Sequence, residues 1–164
     1  MRWSVVPFGK YEGKTLPEII VRDLDWFFWA VPKLYGKLAE EAEELARRAR
    51  AIKIPNPSRK NLEVEYQYEM GHRFCGFAFV DADNAQYSRW ATRLPHLDLS
   101  WPLRRKYDKR AGRIMIRDFR IHYFGEHKRL TKERCETFFA ITEISSLIWV
   151  PPRCRRVPRN TSGP

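Results

Sequence analysis

The chain has 164 residues, of which 43% are hydrophobic and 14% aromatic, enough for a real core in one domain or two small ones. Its formal net charge of +11 favours an anionic partner: nucleic acid first, an acidic protein surface second and membrane headgroups third. The sequence has no apolar run of about 18 residues, so we predict neither a transmembrane helix nor membrane insertion. The start of the chain does not fit a signal peptide. The odd count of three cysteines fits a reduced, cytoplasmic protein.

The first predicted element is a short β-hairpin built around Gly9 and Gly13. Glycine reaches positive φ without steric cost, so a pair at this spacing predicts a tight turn. Apolar arms flank the turn, and its tip and return arm carry the polar side chains Lys10, Tyr11, Glu12 and Lys14. Such a hairpin is not stable alone and needs a helix to pack on.

Apolar residues at helical spacing follow and predict a helix over residues 16–28, with Pro17 in its first turn. Four aromatic residues crowd its end. Because large aromatic side chains are usually buried, we expect a small core beneath the hairpin. The residues assigned this structural role are Phe8, Gly9, Gly13, Leu16, Trp26, Phe27 and Trp29.

Together these residues resemble a small domain with a Phe-Gly-Lys-x-x-Gly-Lys-x-Leu motif followed by a Tyr/Trp-Leu-x-Trp-like motif. That domain occurs at the C-terminus of exodeoxyribonuclease X-like proteins and in proteins labelled quorum-sensing-regulated virulence factors. The matching positions are Pro7, Phe8, Gly9, Lys10, Gly13, Lys14, Leu16, Asp23, Trp26, Phe27 and Trp29. No exonuclease catalytic domain accompanies the motif, and the C-terminal part of the chain is not recognised.

The hairpin tip permits two interpretations. Lys10 and Lys14 beside the aromatic Tyr11 could contact a phosphate backbone and stack on a base. The same residues could equally be plain solvated surface.

The clearest predicted helix covers residues 35–53, where apolar residues repeat every three or four positions. Glutamates fill its first half and arginines its second, which complements the helix dipole. Pairs such as Glu43–Arg47 and Glu44–Arg48 make this face a solvated one rather than a binding patch. Residues 1–54 therefore form a motif module, and the proline-containing segment 55–61 is a linker.

The period then changes from helical to alternating. Residues 62–70 and 74–80 predict two strands of a hairpin, the first with an acidic outer face. Asp81 and Asp83 follow the second strand and could hold Mg²⁺, but capping a short helix over 85–93 is the preferred interpretation.

A strongly basic segment covers residues 104–113, with six Lys or Arg in ten residues. We interpret it as an exposed β-loop ending at Gly112, followed by a long strand over 114–124 with a bulge near Arg117. Its residues are candidates for nucleic-acid or acidic-partner binding, and the alternative is a solubility surface. They are Arg104, Arg105, Lys106, Lys109, Arg110 and Arg113.

Beyond the strand, Thr131 predicts the N-cap of a helix that would cover the sheet. Residues 144–150 form an apolar run, which we interpret as a last strand or as an extension of that helix. With this run, residues 62–150 make up a predicted antiparallel α+β region. The basic, proline-rich tail 151–164 is expected to be disordered.

Catalytic signals are weak. Asp118 with Glu126 and Lys128 superficially resembles a D…E-x-K metal-nuclease pattern, and His72 with Cys75 supplies only half a zinc site. Short patterns of common residues arise easily by chance. We assign no catalytic residue, metal or cofactor.

The sequence therefore predicts an α+β protein in which a hairpin and two-helix module packs with an antiparallel sheet covered by one or two helices. The first functional hypothesis is a non-enzymatic accessory protein that binds nucleic acid, DNA before RNA, in a bacterial phage or plasmid system. The second is a regulator or inhibitor that binds an acidic protein of a DNA-transfer or replication machine, and the third is a metal-dependent nuclease.

Overall fold

A computed structural model describes residues 3–55, 61–70, 72–83, 90–105, 109–125 and 128–140. Within these ranges the chain has the predicted α+β architecture. The helices are α1 (Leu16–Ile20), α2 (Leu24–Ala30), α3 (Gly36–Ala49), α4 (Trp101–Arg105), α5 (Lys109–Phe124) and α6 (Lys132–Ala140). The strands are β1 (Leu62–Glu69), β2 (Arg73–Asp81) and β3 (Thr92–Leu94).

The N-terminal hairpin is closed by backbone hydrogen bonds from Val6 N to Lys14 O, 2.8 Å, and from Gly13 N to Val6 O, 2.9 Å. Its tip is a short 3₁₀ turn, Gly9–Tyr11. Gly9 and Gly13 have φ of 71° and 76°, the left-handed region that glycine enters without strain. The predicted turn is confirmed.

The predicted helix over 16–28 is divided into two. Thr15 and Glu18 form a capping box at the start of α1, and Asp23 begins α2 by accepting a hydrogen bond from Trp26 N at 3.1 Å. Leu16 and Phe27 are buried as predicted. Their burial anchors both short helices in the core.

The prediction that Phe8 and Trp29 are buried is wrong, since they are 50% and 58% exposed. Phe27 and Trp29 are two residues apart on α2, which places their side chains about 200° apart around the helix. Burying Phe27 therefore turns Trp29 outward. Phe8 lies just before the hairpin tip.

Helix α3 confirms the predicted helix and its ion pair between Glu44 and Arg48, whose Oε1 and Nε lie 2.6 Å apart. Arg47 pairs with the same glutamate at 2.7 Å rather than with Glu43. Hydrogen bonds from the two arginines lower the pKa of Glu44 to about 2. Both α3 arginines thus have an ion-pair partner within their own helix.

The sheet is antiparallel with strand order β2-β1-β3. The predicted β1–β2 hairpin is present, with a bulge where Gln67 pairs with Gly76 and the next residue pairs with Phe74. The final residues of the predicted 85–93 helix belong instead to β3, and 84–89 lie outside the described residues. The linker segment 56–60, the apolar run 144–150 and the tail also lie outside them.

The largest correction concerns residues 104–124, predicted as a β-loop and a strand. Residues 101–105 and 109–124 are the helices α4 and α5. Ala111, Met115 and Phe119 are buried at helical spacing, and the β-branched Ile114 and Ile116 that suggested a strand flank this stripe. Gly112, interpreted as a turn, is inside α5.

One buried core joins the N-terminal and C-terminal parts of the described chain, drawing residues from Trp3 to Phe139. Helix α5 packs against β2, α2 and α4, and α6 packs against α1. Phe119 is at the centre of an aromatic cluster. Because α5 is amphipathic, its other face is left at the surface.

Candidate polyanion-binding surface

The outward face of α5 carries four exposed arginines, which we call the arginine stripe. They occupy helical positions i, i+3, i+7 and i+10: Arg110, Arg113, Arg117 and Arg120. At 100° per residue these positions fall within about 80° of arc, and at 1.5 Å per residue they span about 15 Å along the helix. The stripe is therefore a single linear array of guanidinium groups.

The stripe is only partly neutralised. Arg117 pairs with Asp118 at 2.7 Å, and Arg110 also has an interaction within the protein. Arg113 and Arg120 have no ion-pair partner in the part of the chain that the structure describes. Guanidinium groups in such a setting are suited to forked hydrogen bonds with phosphate or carboxylate oxygens.

The stripe is unfavourable for the helix that carries it. Lys109 and Arg110 occupy the positive end of the helix dipole, whose first turn contains no acidic residue. Arg113 and Arg117 are also four residues apart, a spacing at which like charges repel by a few tenths of a kcal/mol. Helix α3 has the opposite arrangement, with Arg47 and Arg48 both paired to Glu44. The contrast favours a binding role for the stripe over a merely solvated face.

A cleft of ≈ 280 Å³ lies between the hairpin tip, α2 and the first half of α5. Lys10, Tyr11, Arg22, Asp23 and Arg113 are among the residues that line it. The structure thus brings the tip and one end of the arginine stripe, two regions that the sequence had suggested separately, to a single site.

The wall of the cleft formed by the tip is held in place by Asp23. Its Oδ2 accepts hydrogen bonds from Tyr11 Oη at 2.7 Å and from Lys10 Nζ at 2.9 Å. Partial burial acts to raise the pKa of Asp23, but the bonds from Tyr11, Lys10 and Trp26 N outweigh burial and lower it. The hydrogen bond from Lys10 to Asp23 raises the pKa of Lys10. The pKa of Tyr11 is raised mainly by its partial burial and secondly by its own hydrogen bond to Asp23.

The floor of the cleft depends on Gly112. A Cβ at this position would lie 3.0 Å from Asp25 Oδ1 and 3.3 Å from its Cγ. The absence of a side chain therefore lets α5 approach α2 closely, and Arg113 lines the cleft together with Arg22. Arg22 is exposed and has no ion pair within the described ranges.

Other predicted binding residues have internal partners. Lys14 Nζ lies 3.6 Å from Glu18 Oε1, and Arg104 pairs at 2.8 Å with the buried Asp98. Lys106 and the side chains of Arg105 and Lys109 lie outside the described residues. The sequence analysis did not select Arg22, Arg117 or Arg120 as site residues. For Arg117 and Arg120 the available signal was the spacing of three and four residues between the arginines from 110 to 120.

The nuclease hypothesis relied on Asp118, which lies on α5, where it contacts Arg117 and lies against Gly76. Glu126 is outside the described residues. In the described ranges no group of three or more His, Cys, Asp or Glu side chains is arranged to hold a metal ion. Nor do they contain a helix with the length and apolarity needed to cross a bilayer.

Comparison with protein-family models, curated proteins and solved structures gave no match for this chain. The resemblance of the N-terminal motif to the exodeoxyribonuclease X-associated domain therefore stays a prediction. What the described residues define is an α+β protein that presents an arginine-bearing helix beside a polar cleft.

Proposed function

We propose that this protein is a non-enzymatic nucleic-acid-binding protein whose arginine stripe contacts the phosphate backbone. The observation that carries the proposal is the pair Arg113 and Arg120, exposed on one face of α5 and lacking ion-pair partners among the described residues. A DNA duplex carries one negative charge per ≈ 1.7 Å of its axis. Along the stripe's length of about 15 Å it would present about nine charges.

The formal net charge of +11 supports nucleic acid over a neutral partner, because it attracts a polyanion from a distance. An acidic protein surface would be attracted by the same positive charge and is the alternative partner. We propose DNA before RNA as the nucleic acid, in a bacterial phage or plasmid setting. Direct binding to DNA is the first measurement because its salt dependence counts phosphate contacts.

The test is fluorescence anisotropy with labelled duplex and single-stranded DNA over a range of NaCl concentrations. The variant Arg113→Ala/Arg120→Ala removes the two stripe residues without ion-pair partners among the described residues. We expect weaker binding and a log–log salt slope that is smaller by roughly 1.4–1.8, since each lost phosphate contact is worth about 0.7–0.9.

The matched control is Lys37→Ala/Arg47→Ala, which removes the same charge from α3, where both side chains are in ion pairs. Its salt slope should stay close to that of the parent. Absence of DNA binding by the parent at low salt would overturn the proposal in favour of an acidic protein partner. An equal loss in both double variants would show that net charge alone is responsible.

A further inference from the structure

The exposed Trp29 has surroundings that point to a ligand. Trp29 is 58% exposed, on the outer side of α2. Large aromatic side chains are usually buried, so an exposed tryptophan is unusual. The bases of single-stranded nucleic acids stack on aromatic rings that lie among cationic side chains. The neighbours of Trp29 are an aromatic ring, Trp26, and a cation, Lys33.

A row of rings connects Trp29 to the cleft. The ring centroids of Trp29 and Trp26 are 6.5 Å apart, and those of Trp26 and Tyr11 are 5.0 Å apart in an edge arrangement. Tyr11 in turn lines the cleft together with Arg22 and Arg113. The aromatic row therefore leads from Trp29 to the cleft that Arg113 of the arginine stripe also lines.

Cations accompany the row. Lys33 Nζ lies 3.4 Å from the centroid of the Trp29 ring, and Lys10 Nζ lies 4.9 Å from that of Tyr11. Because the ammonium group of Lys33 covers one face of the indole, a stacked base would lie on the opposite face, and Lys33, which is exposed, would pair with a neighbouring phosphate. An apolar protein partner would gain nothing from these ammonium groups, whereas a strand with bases and phosphates uses both features.

We propose that Trp29 is a base-stacking platform and that this protein prefers single-stranded over duplex nucleic acid. This inference rests on the proposed function, because it adds a base contact to the phosphate contacts of the arginine stripe. Bases paired within a duplex keep their faces stacked on one another, so only an unpaired base can lie on the indole.

The test measures the affinity of the parent and of Trp29→Ala for oligothymidine and for a duplex of equal length. Base–aromatic stacking is worth about 1–3 kcal/mol per base, so we expect about 5- to 160-fold weaker binding of the single strand. Duplex affinity should change less than about twofold. Trp29→Phe should keep most of the affinity, because phenylalanine retains a stacking face.

Trp90→Ala is the matched control, since Trp90 is 47% exposed and precedes β3; its affinities should equal those of the parent. A second probe is an oligonucleotide of the same charge that lacks its bases. The parent should bind it more weakly than oligothymidine, and Trp29→Ala should bind the two equally. Quenching of tryptophan fluorescence by oligothymidine gives an independent readout in the parent if Trp29→Ala does not fold.

Unchanged oligothymidine binding by Trp29→Ala, with Arg113→Ala/Arg120→Ala still weakened, would overturn the stacking platform and leave the proposed function intact. Equal losses for single strand and duplex would also overturn it, since stacking requires an unpaired base. If neither strand form binds to the parent, it is the proposed function that fails.

Discussion

The Tyr11 hydroxyl donates a hydrogen bond of 2.7 Å to Asp23 Oδ2, while Asp23 Oδ1 caps α2 through Trp26 N at 3.1 Å. One carboxylate thus joins the hairpin tip to the start of the helix that carries Trp29. This relationship fixes the wall of the cleft and the position of the aromatic row together.

The first prediction follows from that carboxylate. Asp23→Ala should lower the free energy of unfolding by about 1–2 kcal/mol, because α2 loses its N-cap. Tyr11→Phe should cost about 0.5–1.5 kcal/mol, since only the hydroxyl bond is lost. Urea denaturation measures both, and the double variant should cost less than the sum because the two residues share an interaction. Additive costs would contradict the link.

The pH dependence of the same site has a defined sign. The pKa of Asp23 is lower in the folded protein, because the bonds from Tyr11, Lys10 and Trp26 N outweigh burial, which raises it. Its contribution is therefore present above the ordinary Asp pKa of about 3.9 and is lost as pH falls through the lower folded value. The difference in stability between the parent and Asp23→Asn should shrink in acid.

A second prediction distinguishes the helix α5 from the strand that the sequence suggested. Met115 is fully buried, whereas Ile114 is only partly buried. Met115→Ala should cost about 2–5 kcal/mol of unfolding free energy and Ile114→Ala clearly less. Thermal and urea unfolding give both values. A larger cost at Ile114 would favour the strand, in which Ile114 points inward.

A third prediction concerns the contact between β2 and α5 at Gly76. This residue has φ of 149°, and a Cβ there would lie 2.5 Å from Asp118 Oδ2. Gly76→Ala should destabilise the protein by about 1–3 kcal/mol, through backbone strain and this clash. In an Asp118→Ala background the cost should be smaller, because the clash is removed.

Gly36→Ala is the control for that cycle. Gly36 also has positive φ, 57°, but nothing lies within 4 Å of the position that a Cβ would take there. Its cost should be the same with and without Asp118→Ala. Equal coupling at both glycines would show that Asp118 acts globally rather than by contact.

The fourth prediction uses His122, whose ring centroid lies 5.1 Å from that of Phe77 and 4.8 Å from that of Phe79. Burial lowers the pKa of His122, and Asp118 acts in the opposite direction without cancelling it. Below about pH 6.5 the unfolded chain takes up a proton that the folded protein resists, so this group reduces stability as pH falls.

We therefore expect His122→Leu to lose part of the decline in stability between about pH 7 and pH 5. Urea denaturation at several pH values measures the difference. A profile for His122→Leu that is parallel to the parent would contradict the assignment.

Local sequence patterns determined much of the fold. The glycine pair predicted the tip turn, and the apolar repeat with its acid-then-base order predicted α3. Alternation predicted β1, and the apolar run after a turn predicted β2. Each signal acts within a few residues, through backbone sterics, helix dipole or side-chain period, so it can be interpreted without knowing the neighbours.

Residues 104–124 show where local patterns were insufficient. Isoleucine and phenylalanine favour strands intrinsically, and an isolated glycine favours a turn. The helix is decided by tertiary packing, because Ala111, Met115 and Phe119 bury one face and Gly112 lets α5 approach Asp25. The same packing places basic residues that were predicted on a loop and a strand in an aligned stripe.

The amino-acid sequence by itself determined the fold class, the excess of positive charge and the turn that carries Lys10 and Tyr11. Only the tertiary structure decided that Arg113 meets this turn across one cleft and that Trp29 faces outward. These are relations between residues distant in the chain, and they depend on which helix faces are buried in the shared core. Burial of Phe27 is the physical reason that Trp29 is left at the surface beside Lys33.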